Sequence, residues 1–204
     1  FVAISHHVKN RIAAHYKREA DVIYPPADTD FYSPDPSVGP EDFYLVVSAL
    51  VPYKKIELAV EAFNHLGKRL VVIGGGPEEN FLRSKAKSNI EFLGWQTDGV
   101  LRDTYRRARA LVFPGEEDFG IVPVEVQACG RFVIAYGKGG AVETVKDGET
   151  GVFFGEPSVE SLSEAVRRFE TLTLRPENAR QNALRFSRDR FKREMDEMVK
   201  RVLA

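Results

Sequence analysis

Cysteine is nearly absent from this chain: Cys129 stands alone in 204 residues, so no internal disulfide and no cysteine-based zinc cluster can form. A reducing compartment suits that usage. The four histidines, His6, His7, His15 and His65, never fall at HExxH spacing, and no metal ligand is expected among them. Three of them share one expected helix, where a solvent-facing position is the simplest reading. Neither sign of charge is in excess, with 29 Lys+Arg against 30 Asp+Glu and a formal net charge of -1. Nothing therefore points to a nucleic-acid surface or a charged tail. The longest apolar runs are strand-sized, too short for a transmembrane span.

Several signature loops are missing as well. A dinucleotide fingerprint should follow the first strand of a regular βαβ series, yet SALVPYKK (48–55) contains no glycine. Gly74, Gly75 and Gly76 follow a strand but continue as Pro77, Glu78 and Glu79, which leaves the pattern incomplete. No GxxxxGK[ST] and no GxSxG occurs. Nicotinamide-dependent, P-loop and serine-hydrolase chemistry are thereby disfavoured.

What is present is regular alternation. FYLVVSAL, RLVVIGG, IEFLGW, ALVFP, FVIAY and GVFF read as strands; IELAVEAFNHL, EENFLRSKAK and DGVLRDTYRRA between them read as helices. Such alternation predicts an α/β fold, a Rossmann-like doubly wound parallel sheet with helices on both faces. From Ser158 the sequence reads as C-terminal helices broken near Arg175-Pro176 and Ser187. The last of these carries a stripe of Phe191, Met195, Met198 and Val202, expected to pack on the core. At the other end VAIS (2–5) reads as a strand, with Ser5 capping a helix from His6 to about Arg18. The sequence opens on Phe1 with a strand already in progress, so it is expected to be part of a longer protein. Three parts are anticipated: 1–20, the end of a preceding domain or a linking strand and helix; 21–186, a Rossmann-like domain; and 187–204, a last helix.

The most informative stretch is EEDFGIVPVEVQACG (116–130). It follows the apolar segment ALVFP, so the loop leaves the carboxyl end of a buried strand. Pro123 suits the first turn of a helix running to about Cys129, with Gly130 as its stop. A helix start at that edge offers free N–H groups and the positive end of a dipole, which suits a phosphate. Glu117 lies just before the start and Glu125 one turn inside. At about 1.5 Å per residue, Glu125 stays within roughly 6 Å of Ile121 along the axis. Carboxylates beside a phosphate need another purpose, and sugar hydroxyls supply it. The alternative is that Glu117 caps the helix while Glu125 is solvated on its outer face.

Taken in order, the lysine in VPYKK, the GGGPE loop, IEFLGW, EEDFGIVPVEVQACG and GGAVETVKDGETG resemble the C-terminal half of GT-B retaining glycosyltransferases of family 4, and within them the mannosyltransferases. The resemblance spans nearly the whole chain. It implies one half of a GT-B fold that binds a nucleotide-sugar, most simply GDP-mannose, needs no metal or other cofactor, and passes the hexose to a glycan or lipid-linked acceptor. Acceptor binding would belong to an N-terminal domain, in a cytoplasmic enzyme able to sit at the inner face of the membrane. Glu117, with the backbone N–H groups of Phe119, Gly120 and Ile121 and the adjoining Val122, would face the donor sugar and diphosphate. Glu125 would grip the ribose, and Gly94 and Trp95 the base, Trp95 by stacking or else by covering the sheet end. Lys54 matches the family's lysine, which neutralises the diphosphate. The accompanying arginine is replaced by Ala49, a loss worth about 1.5 to 3 kcal/mol, or roughly ten- to a hundredfold in affinity. Lys55 could offset part of it, although adjacent side chains point differently. Glu143 and Gly139-Gly140 could approach the diphosphate, though tight-turn duty suffices for the glycines. A non-catalytic nucleotide-sugar-binding module on the same fold is the competing expectation.

Overall fold

A computed structural model describes residues 1–203. Its centre is a six-stranded sheet of β3 (Tyr44–Val47), β4 (Leu70–Ile73), β5 (Ile90–Gly94), β6 (Ala110–Phe113), β7 (Phe132–Tyr136) and β8 (Gly151–Phe154). The spatial order is β5-β4-β3-β6-β7-β8, and each neighbouring pair is parallel. A separate two-stranded parallel ribbon joins β1 (Val2–Ala3) to β2 (Asp21–Val22).

Alternation along the strands builds two cores. Tyr44, Val46, Val72, Val112 and Ile134 face one side, against α2 (Ile56–Leu66) and α7 (Val159–Thr171). Leu45, Val71, Leu111 and Val133 face the other, against α4 (Asp98–Arg107), α5 (Ile121–Ala128) and α8 (Pro176–Leu184). Both faces are covered, which is why the strands read as continuous apolar runs. At about 25 cal/mol per Å² of buried apolar surface, this burial is the main stabilising term.

The remaining helices are α1 (His6–Tyr16), α3 (Glu79–Lys85), α6 (Ala141–Thr144) and α9 (Arg188–Leu203). Ser5 caps α1 by accepting from the Val8 N–H, as the sequence predicts, and that duty cuts β1 to two residues. The helix stops at Tyr16, short of Arg18, because Lys17 turns left-handed at φ +54°. The glycine-rich segment after β7 contains the short helix α6. The stripe on α9 is not core either. Phe191, Met195 and Met198 are half-buried and Val202 is 71% exposed. The helix is anchored instead through Arg190, whose guanidinium donates to the Tyr24 carbonyl at 2.9 Å and to Glu194 at 2.8 Å.

Strand order fixes where a ligand can bind. The chain runs outward from β3 through β4 to β5, then returns to the other side of β3 for β6, β7 and β8. The loops after β3 and β6 therefore part company at the centre of the sheet, leaving a crevice at their carboxyl ends. These two loops carry Lys54 and Glu117.

Candidate functional site

The loop after β3 ends in a 3-10 turn, Pro52–Lys54, and its path depends on the glycine triplet of the neighbouring loop. A Cβ on Gly74 would stand 1.9 Å from the Ser48 carbonyl oxygen, and one on Gly76 2.5 Å from that of Leu50. The triplet lets two strand exits pack backbone to backbone. Gly115, in the loop after β6, packs less tightly against Lys54, where a Cβ would meet the Lys54 carbonyl oxygen at 3.0 Å.

That packing brings Lys54 to Glu117. Lys54 Nζ lies 2.6 Å from Glu117 Oε1, with the side chains only 15% and 21% exposed. The pair sits just ahead of α5, whose first residues follow Gly120 at φ +84°. Among the described residues no side chain caps this start, so Glu117 is not a cap and its N–H groups are open to a ligand. The Phe119 ring is buried, tilted against Tyr24 and edge-on to Phe186. Ile121 and Val122 are half-buried behind it.

The loop after β7 clamps the acidic segment from the far side. Gly140 N–H donates to the Glu117 carbonyl at 2.7 Å. A Cβ on Gly140 would stand 2.3 Å from Phe119 Cα, and one on Gly139, at φ +64°, 2.4 Å from the Glu117 oxygen. These glycines permit a close approach. Glu143 has another duty: its carboxylate accepts from the His6 and His7 N–H groups, each at 2.9 Å, and from the Tyr24 hydroxyl at 2.9 Å. It caps α1 from a distant part of the chain. Burial and this carboxylate raise the Tyr24 phenol to about 12.

A cavity of about 670 Å³ opens beside Glu117, the partner of Lys54, and is lined by His7, Arg11, Pro52, Tyr53, Lys55, Glu116, Glu117 and Asp118. Lys55 thus belongs to the cavity wall and is more than a remote surface charge. His7 and Arg11 are not apparent as site residues in the sequence. The His7 ring is not fully solvent-facing, being 29% exposed and 3.9 Å from both Glu116 and Asp118, while Arg11 pairs with Asp118. His6 and His15 are exposed as expected.

Glu125 lines a second cavity, of about 360 Å³, together with Asp28, Phe31, Tyr32, Asp98 and Arg188. It is not solvated on an outer face: the Tyr105 hydroxyl donates to it at 3.0 Å. Burial raises its carboxyl to about 7, Asp98 adding to the rise and the Tyr105 bond opposing it. The two glutamates therefore serve two cavities served by one helix start. Gly94, at φ +65°, closes β5, and Trp95 beyond it is 77% exposed, so the ring does not cover the sheet end.

An open parallel sheet with helices on both faces and a charged crevice at its switch point defines an α/β protein of Rossmann-like type. Residues 30–186 match the family described as "Glycosyl transferases group 1", and the chain belongs to that family. It is 31% identical to an uncharacterised glycosyltransferase of Methanocaldococcus jannaschii, over 81% of this chain and 48% of that protein. It is 33% identical to the D-inositol 3-phosphate glycosyltransferase of Gordonia bronchialis, over 83% and 44%. With the GDP-mannose-dependent alpha-(1-6)-phosphatidylinositol monomannoside mannosyltransferase of Mycobacterium tuberculosis it shares 30% identity, over 80% and 50%. The chain thus spans about half the length of the curated relatives it matches. The fold matches a Rickettsia africae glycosyltransferase (TM-score 0.87, 22% identity, 99% of this chain and 63% of that one). It also matches Anabaena HepE in complex with UDP and glucose (TM-score 0.86, 20% identity, 98% and 62%). Among the described residues no helix is long and apolar enough to cross a membrane.

Proposed function

We propose that this chain is the donor-binding half of a retaining glycosyltransferase of family 4, with GDP-mannose as donor and a glycan or lipid-linked acceptor bound mainly by a second domain. The observation that carries the reading is the Lys54–Glu117 ion pair, 2.6 Å long and mostly buried at the uncapped start of α5. Two charges so placed meet an anionic leaving group and a hydroxyl-rich sugar at once. The mannosyltransferase relative favours mannose as the sugar; relatives with other names leave the donor to be tested.

In this reading the diphosphate lies against the N–H groups of Phe119, Gly120 and Ile121, with Lys54 Nζ beside it. The bond between the sugar's anomeric carbon and the diphosphate oxygen breaks. The acceptor oxygen bonds to that carbon on the same face, and its proton passes to the departing phosphate oxygen. Lys54 and the helix dipole stabilise the charge left on the phosphate, an electrostatic contribution of the kind that dominates such catalysis. Glu117 holds the sugar as it approaches an oxocarbenium-like state, and no metal is assigned a part. Glu125 accepts from the ribose hydroxyls, while Gly94 and the exposed face of Trp95 receive the base. The full-length enzyme is placed in the cytoplasm, able to associate with the inner face of the membrane.

Ala49, where an arginine is expected, favours a second reading as a non-catalytic nucleotide-sugar-binding module. Lys54→Ala and Glu117→Ala in the full-length protein separate the two. Loss of sugar transfer by a hundredfold or more, about 2.7 kcal/mol, is expected if these groups act in the transition state. Wild-type rates in both variants contradict the enzymatic reading.

A further inference from the structure

Helix α1 supplies a wall of the 670 Å³ cavity that the proposed donor chemistry leaves without a task. The segment before α5 presents three consecutive carboxylates, Glu116, Glu117 and Asp118, to this space. The loop after β3 answers with two ammonium groups, Lys54 and Lys55. Those five groups alone carry one negative charge in excess, and a diphosphate entering among them would be repelled.

The missing positive charge comes from Arg11 on α1, with His7 beside it. His7 and Arg11 are four residues apart and so share one face of the helix. Both line the cavity; Arg11 pairs with Asp118 and His7 stands 3.9 Å from Glu116 and Asp118. Their aim is fixed from behind, because Glu143 holds the first two N–H groups of the helix. Arg11 is 57% exposed, so its guanidinium is free to turn from Asp118 to a ligand. A guanidinium presents two parallel N–H groups to a phosphate, which an ammonium cannot do.

Resting on the donor-site reading above, we propose that Arg11 is a ligand of the donor's diphosphate, so that α1 and the start of α5 close on it from two sides. Arg11 then performs, from a different element, the charge neutralisation that Ala49 cannot. His7 supports it by facing the carboxylates that Arg11 leaves.

Calorimetric titration of the chain with GDP and UDP tests this, using Arg11→Ala, Arg11→Lys and Lys54→Ala beside the wild type, with each variant's thermal unfolding confirming an intact fold. The diphosphate that binds the wild type should bind Arg11→Ala about tenfold more weakly, and Arg11→Lys at a level between the two, since an ammonium keeps the charge but loses the paired N–H geometry. Arg11→Ala binding within twofold of wild type, while Lys54→Ala loses affinity, overturns the role of Arg11 and leaves the donor site standing. An equal loss in Arg11→Lys and Arg11→Ala overturns the argument from charge. Failure of the wild type to bind either diphosphate, or indifference to both Arg11→Ala and Lys54→Ala, overturns the donor-site reading and this proposal with it.

Discussion

Glu125 holds a charge that its surroundings resist. Its carboxyl is raised to about 7 by burial, against an ordinary value of 4.5. The folded state therefore keeps a proton that the unfolded chain has released between those values, and stability falls as pH rises through this window. Above the window the charge is carried at a cost of about 3 kcal/mol. Glu125→Gln should accordingly raise the melting temperature at pH 8 and leave it unchanged near pH 4. A stabilisation independent of pH would contradict this account. Nucleotide binding is expected to move the other way, strengthening as pH rises through about 7, since ribose hydroxyls donate best to an ionised carboxylate. Titration of the nucleotide at pH 6 and pH 8 checks it.

At the scale of elements, the start of α5 is positioned by what surrounds it rather than by its own cap. The loop after β7 lies so close that a methyl group on Gly140 would stand 2.3 Å from Phe119 Cα. Gly140→Ala should destabilise the fold by about 2 to 3 kcal/mol and displace the acidic segment, seen as a lower denaturation midpoint and weaker nucleotide binding. Glu143 secures α1 in a similar way. Glu143→Ala should speed hydrogen exchange at the His6 and His7 amides by about tenfold, the loss of a cap contributing roughly 1 to 2 kcal/mol. Unchanged exchange at both amides would contradict the capping role. These local devices explain what could be read in advance. Short apolar runs and the helix stops placed nearly every strand and helix, the acidic loop at a strand end marked Glu117 as a candidate, and the family resemblance marked Lys54. His7 and Arg11 were illegible because their partners lie over 100 residues away, with Arg11 and Asp118 107 apart. No local pattern records that contact. The α9 stripe misled for the same reason, since periodicity gives an apolar face but not what covers it.

At the scale of the molecule, the chain spans about half of its curated relatives, and α1 bridges the Rossmann-like sheet and the β1–β2 ribbon. In the proposed function donor binding falls to this chain, whereas acceptor binding is assigned to a second domain. The isolated 204-residue chain is therefore expected to bind nucleotide and to transfer little or no sugar, which a transfer assay on purified chain examines. Rapid turnover by this chain alone would contradict that division of labour. The central claim is that the crevice around Lys54 and Glu117 receives a nucleoside diphosphate. It is tested most directly by calorimetric titration of the chain with GDP, UDP and ADP. One of the three should bind below millimolar concentration and lose that affinity in Lys54→Ala, whereas binding of none at millimolar concentration contradicts the account.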